Sequence, residues 1–69
     1  MNNKSARGIA AVARKFDRLY TLHYETGKYR YRLDLWTWDI LRQPVTAERY
    51  ERWDRFRHNP KTDKWEFVC

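Results

Sequence analysis

Sixty-nine residues with a formal charge of +6 make one small domain, 1–69, too short for two cores. A lone cysteine, Cys69, excludes an internal disulfide framework, and His23, His58 and Cys69 match no metal-ligand spacing, so no cofactor is expected. Stability has to come from packing, for which four Trp, five Tyr and three Phe are available.

The charge is uneven. Residues 1–32 hold eight basic side chains against Asp17 and Glu25, whereas residues 33–69 hold seven of each sign. That asymmetry points to a polyanion, or an acidic protein or nucleoprotein surface, engaged by the first half. One cysteine and no recognisable signal peptide lead to the expectation of a cytoplasmic protein with no membrane partner. The apolar run 9–13 is too short for a signal core. The acid-poor, Arg-containing segment 1–16 resembles a mitochondrial presequence, but removing it would leave too little chain to fold comfortably, so it is kept in the domain.

In chain order, Ile9, Val12, Ala13, Phe16, Leu19 and Tyr20 recur at steps of three and four, which predicts a helix over 5–20 with Ser5 as N-cap and Gly8 in its first turn. Lys4, Arg7, Arg14 and Arg18 then line the opposite side as a stripe about 21 Å long.

The next stretch alternates with period two. A turn at Thr26–Gly27 pairs Glu25 with Lys28, Tyr24 with Tyr29, His23 with Arg30 and Leu22 with Tyr31. It gathers Tyr20, Leu22, Tyr24, Tyr29, Tyr31 and Leu33 on one face, and leaves Thr21, His23, Glu25, Lys28, Arg30 and Arg32 on the other. Gly27 is expected to supply a positive φ at this turn.

Residues 36–41 read either as continued strand or as a short helical turn carrying Trp36, Ile40 and Leu41 inward; Pro44 then interrupts. Thr46 can cap a second helix over 47–58, with Tyr50, Trp53 and Phe56 buried and Glu48–Arg52, Glu51–Arg55 and Asp54–His58 as i,i+4 pairs. Asn59-Pro60 would end it. The tail alternates again, placing Trp65, Phe67 and Cys69 on one face of a last strand. The predicted fold is α+β, a small antiparallel sheet (central hairpin plus C-terminal strand) covered by two helices in the order α-β-β-α-β.

Two surfaces carry candidate chemistry. Arg7, Arg14 and Arg18 can contact phosphates, or simply form the solvated side of an amphipathic helix; a membrane-surface role fits poorly, because the apolar side lacks Trp and is needed for the core. In KYRYRLDLWTW, residues 28–38, a straight strand would send Lys28, Arg30, Arg32, Asp34, Trp36 and Trp38 outward. Cations that grip phosphate beside rings that stack bases suit a single-stranded nucleic acid. The plainer alternative buries Trp36 and Trp38 under the second helix. The two surfaces would lie on opposite sides of a two-layer fold, so one groove using both needs a tilted helix, an edge-on approach or a homodimer.

No Ser/His/Asp, Cys/His, phosphate-cradling glycine loop or paired-carboxylate arrangement occurs. His23 and His58 have adequate structural roles, and a small ribonuclease-type toxin is the remote third reading. The expectation is a non-enzymatic nucleic-acid binder, or a binder of a nucleic-acid-handling complex, using Arg7, Arg14, Arg18, Lys28, Arg30, Arg32, Trp36 and Trp38. The alternative is a phage- or plasmid-type inhibitor or adaptor docking on an acidic host surface, in keeping with the abundance of Trp, Tyr and Arg.

Overall fold

The computed structural model describes residues 5–68. One helix, α1 (Ile9–Leu19), precedes five strands: β1 (His23–Glu25), β2 (Tyr29–Leu33), β3 (Ile40–Pro44), β4 (Asp54–Asn59) and β5 (Lys64–Phe67). They form one antiparallel sheet in the order β1-β2-β3-β4-β5, with each strand beside its sequence neighbour. The architecture is α+β as expected, but the order is α-β-β-β-β-β among the described residues.

The helix forms where the period of 3.6 is cleanest. Ile9, Val12 and Phe16 are buried against Tyr31, Ile40 and Phe56, one residue from each of the three central strands. Ser5 is not the N-cap: its Oγ accepts the Arg7 N–H at 3.1 Å, and the helix begins after Gly8, whose φ of 86° is one that glycine adopts without penalty. Arg7 therefore precedes the helix, so the expected stripe is broken there. Lys4 and Cys69 lie outside the described residues. Leu19 and Tyr20, expected to face inward, are exposed, because Tyr20 takes a left-handed C-cap conformation and swings the chain toward β1.

The hairpin keeps its predicted faces but not its predicted register. Tyr24 pairs with Tyr31, Glu25 with Arg30 and His23 with Arg32. The turn lies one residue later than expected, around Gly27–Lys28, with the Thr26 N–H donating to the Tyr29 carbonyl. Thr26 Oγ1 accepts from both the Lys28 and Tyr29 amides, which selects this turn. A shift of two residues moves every pair yet leaves each side chain on its own face. Gly27 does not take a left-handed φ, contrary to expectation.

The second helix is absent, and this is the main correction. Residues 45–53 form a turn-rich loop, and residues 54–59 are a central strand. Phe56 is fully buried opposite Phe67, while Arg55 and Arg57 alternate onto the other face. Tyr50 is exposed and Trp53 half-buried rather than forming a core stripe. The expected i,i+4 geometry does not arise: Asp54 lies 4.0 Å from Arg42, Arg55 bonds to Asp34 and Asp39, and His58 to Asp63. Asn59-Pro60 opens the β4–β5 turn instead of ending a helix, with the Asp63 N–H donating to the Asn59 carbonyl. Trp65 and Phe67 share the helix-facing side of β5, as expected.

One core position is cationic. Arg42 lies between the rings of Tyr29 and Phe56, at 4.7 and 4.6 Å, and donates to the Ser5 carbonyl at 3.2 Å. Its stem and guanidinium plane thus cover apolar surface that an aliphatic residue would otherwise cover.

Candidate binding surface on the helix-free face

The register puts Arg30, Arg32, Leu41, Gln43, Arg55 and Arg57 on the face away from α1. Two loops shape it. At one end, residues 45–53 fold back over Gln43, which is fully buried. Gln43 Nε2 donates to the carbonyls of Glu48 and Glu51 at 2.8 and 3.0 Å. Arg30 reinforces the same loop, donating to Gln43 Oε1 at 2.6 Å and to the Val45 and Ala47 carbonyls. Arg30, expected to bind a partner, is therefore committed to the fold.

At the other end, residues 34–39 make the β2–β3 connection. The Asp34 N–H donates to the Asp39 carbonyl at 2.9 Å and the Trp38 N–H to the Asp34 carbonyl at 2.7 Å. Asp39 is 1% exposed, and its carboxylate accepts from Arg55 at 2.8 Å and from Arg57 at 2.9 and 3.1 Å. Burial pushes the Asp39 carboxyl up, but the hydrogen bonds from Arg57, Arg55 and Thr37 outweigh it and hold the group below the usual carboxylate range. Asp34 is also lowered, first by Arg55 and then by the Trp36 amide, which its Oδ1 accepts at 2.9 Å.

This loop decides where the tryptophans go. Neither a continued strand nor an inward helical turn forms: Ile40 and Leu41 belong to β3, while Trp36 is 94% and Trp38 68% exposed. The reading that buries both under a second helix fails with that helix. They part company, however. Trp36 borders a hollow on the helix-free face with Arg32, His23, Leu22 and Leu41. Trp38 instead faces the end of α1 and β5.

The hollow at Trp36 runs into a second one through His23 and Arg32, which line both; the second also holds Arg30, Arg49 and Trp53. Together they make a furrow along the β1–β2 hairpin, with Trp36 in one part, Arg49 and Trp53 in the other, and His23 and Arg32 shared; Asp34 lines the first part and Glu25 the second. Arg32 stacks over the Trp53 ring at 5.6 Å, and the Trp53 indole N–H donates to the Arg49 carbonyl. Of the expected site residues, Arg32 and Trp36 meet here. Lys28 sits in the turn at the far end of β2, and Arg7, Arg14 and Arg18 lie with α1 on the opposite side of the sheet. Trp53, Arg49 and His23 were missed as site residues. Trp53 was assigned to a helix stripe, and the signal that could have corrected it is the strand alternation of Arg55, Phe56 and Arg57.

His58 is on β4 rather than at a helix end, with its ring 5.3 Å from Trp65 and Nε2 2.9 Å from Asp63 Oδ1. Among the described residues no three His, Cys, Asp or Glu side chains gather as metal ligands, and no helix is long and apolar enough to cross a membrane. Compared with protein-family models, curated proteins and solved structures, the chain matches none.

Proposed function

We propose that the chain binds single-stranded nucleic acid, without catalysis, along the furrow on its helix-free face. Trp36 stacks a base, Arg32 and Arg49 contact phosphates, and Lys28 extends the basic track. The observation that carries this reading is the nearly complete exposure of Trp36 beside Arg32 in a hollow that no helix covers. A ring held that far into water by an anchored loop contributes little to packing, and base stacking is the interaction such a ring offers. Arg7, Arg14 and Arg18, on the other side, add long-range attraction rather than contacts in the same groove.

Three phosphate contacts predict that log K falls with log salt at a slope of about −2 for single strands. Trp36→Ala should weaken binding to oligonucleotides by about 5- to 150-fold, the range of one stacked base. Arg32→Ala should flatten the salt slope by about 0.7. Absence of binding to DNA and RNA oligomers at low salt would sink the proposal. In that case docking on an acidic protein surface, which draws on the same cations, becomes the better reading.

A further inference from the structure

We propose that the hollow under Trp38, which adjoins the Trp36 hollow across Leu22, Leu33 and Leu35, is a second site, for a small amphiphilic organic cation with an aromatic or short hydrocarbon body and one ammonium group. The cavity is about 460 Å³ and lies between the C-terminal turns of α1, residues 34–39 and β5. That volume is in the range of small-molecule sites, roughly 300–1,000 Å³, and too small for a helix or a folded partner. Phe16, Leu33 and Ile40 give it an apolar base, and Trp38 and Trp65 add aromatic surface. Asp17 is the one charged side chain lining it, with no hydrogen bond or ion pair to another described residue.

Three observations select the ligand. The lining is almost wholly apolar, so most of the ligand must be too. Aromatic faces attract cations, and Asp17 places a carboxylate beside them in a chain whose overall charge is +6. Asp17 is exposed and also borders a basic hollow with Arg14, Lys15 and Arg18, so its preference for an ammonium over a neutral or anionic head is expected to be small.

The third observation is the backbone of Trp38. Its φ of 61° is left-handed, a conformation that a bulky aromatic residue rarely takes. Exposed as the ring is, packing does not compensate the strain; the loop is held instead by Asp34 and Asp39 on Arg55 and Arg57. Strain maintained by a buried ionic anchor, for a ring that borders a cavity, is the pattern of a residue kept for binding.

The test is an NMR titration of the full chain with phenethylammonium, phenethyl alcohol and 3-phenylpropionate. Saturable shifts are expected at the Trp38 and Trp65 indole N–H groups, with the ammonium binding about fivefold tighter than the alcohol and the carboxylate weakest. Asp17→Asn should bring ammonium and alcohol within about twofold of each other while leaving the alcohol unchanged. Trp38→Gly should weaken all three, and because glycine tolerates φ 61° this variant keeps the loop folded. Trp36→Ala, at a ring that does not line this hollow, should change none of them. No saturable shift at these indoles, a preference for the carboxylate, or an ammonium preference that survives Asp17→Asn would each overturn the proposal. None of these outcomes bears on oligonucleotide binding by the furrow.

Discussion

The helix-free face is held at both ends by loops, and the two loops are anchored by different chemistry. Residues 45–53 hang on a neutral amide, Gln43, helped by one arginine that donates only to uncharged oxygens. Residues 34–39 hang on two carboxylates facing two arginines. Both anchors centre on a buried polar side chain, but Gln43 reaches carbonyls 5 and 8 residues away whereas Asp39 reaches arginines 16 and 18 residues away. The amide anchor has no titrating member on its acceptor side, whereas the carboxylate anchor does. The anchor of the first loop should be indifferent to acid and that of the second should not. That loop is also the one that sets both exposed tryptophans, so the anchor that responds to pH governs the two candidate sites.

Removing Asp39 should have the largest effect. Asp39→Ala leaves Arg57 without its carboxylate and Arg55 with only Asp34 and the Thr37 hydroxyl. Breaking a buried ion pair costs about 3–5 kcal/mol, and because both arginines reach water the expectation lies near the low end, about 3 kcal/mol. Denaturant melts should register it as a lower midpoint. An unchanged midpoint would show that the loop does not depend on this anchor.

Gln43→Ala comes next. It strips the side-chain donor from the Glu48 and Glu51 carbonyls and the side-chain acceptor from Arg30. Unsatisfied buried groups cost about 1–3 kcal/mol, and about 2 kcal/mol is expected here, since Arg30 keeps the Val45 and Ala47 carbonyls. Proteolysis within residues 45–53 should rise while Trp38 stays as it was. Equal loosening of both loops would show that the two anchors are coupled.

Acid separates the anchors without mutation. Asp34 and Asp39 have folded-state pKa values below their unfolded ones. Their stabilisation is therefore complete above the unfolded value, near 4, and is lost as pH falls through the lower folded values. Below about pH 4 the 34–39 loop should loosen first, seen as a change at the Trp36 and Trp38 indoles. In Asp39→Ala that early change should shrink. If the Trp53 indole responds at the same pH as Trp38, the contrast between the loops fails.

How far the sequence reveals these regions follows from the range of the interactions. The faces of the β1–β2 hairpin were readable because alternation is local, and a register error of two residues leaves faces intact. The helix core at Ile9, Val12 and Phe16 was readable for the same reason. Residues 47–58 misled because Tyr50, Trp53 and Phe56 fit a helical spacing and acid-first pairs support it. What decides against the helix is Gln43, which captures the Glu48 and Glu51 carbonyls, and Asp39, which draws Arg55 and Arg57 into a strand. Neither has any periodic signature. The exposure of Trp36 and Trp38 was hidden in the same way, since it depends on a loop anchored by β4.

The smallest expected effect is the most telling about the carboxylate-held loop. Trp38→Gly removes a largely exposed ring, so little buried surface is lost. It also removes a left-handed strain of about 1–2 kcal/mol, of which glycine's greater unfolded-state entropy returns roughly half to one. The balance is a stabilisation of about 0.5 kcal/mol, or a few degrees in Tm for a domain this size. The same variant should lose the cation site. A rise in Tm together with loss of binding would mean that the loop holds Trp38 against its own stability; a fall would mean that the ring packs more than its exposure implies, and that the anchor serves the fold alone.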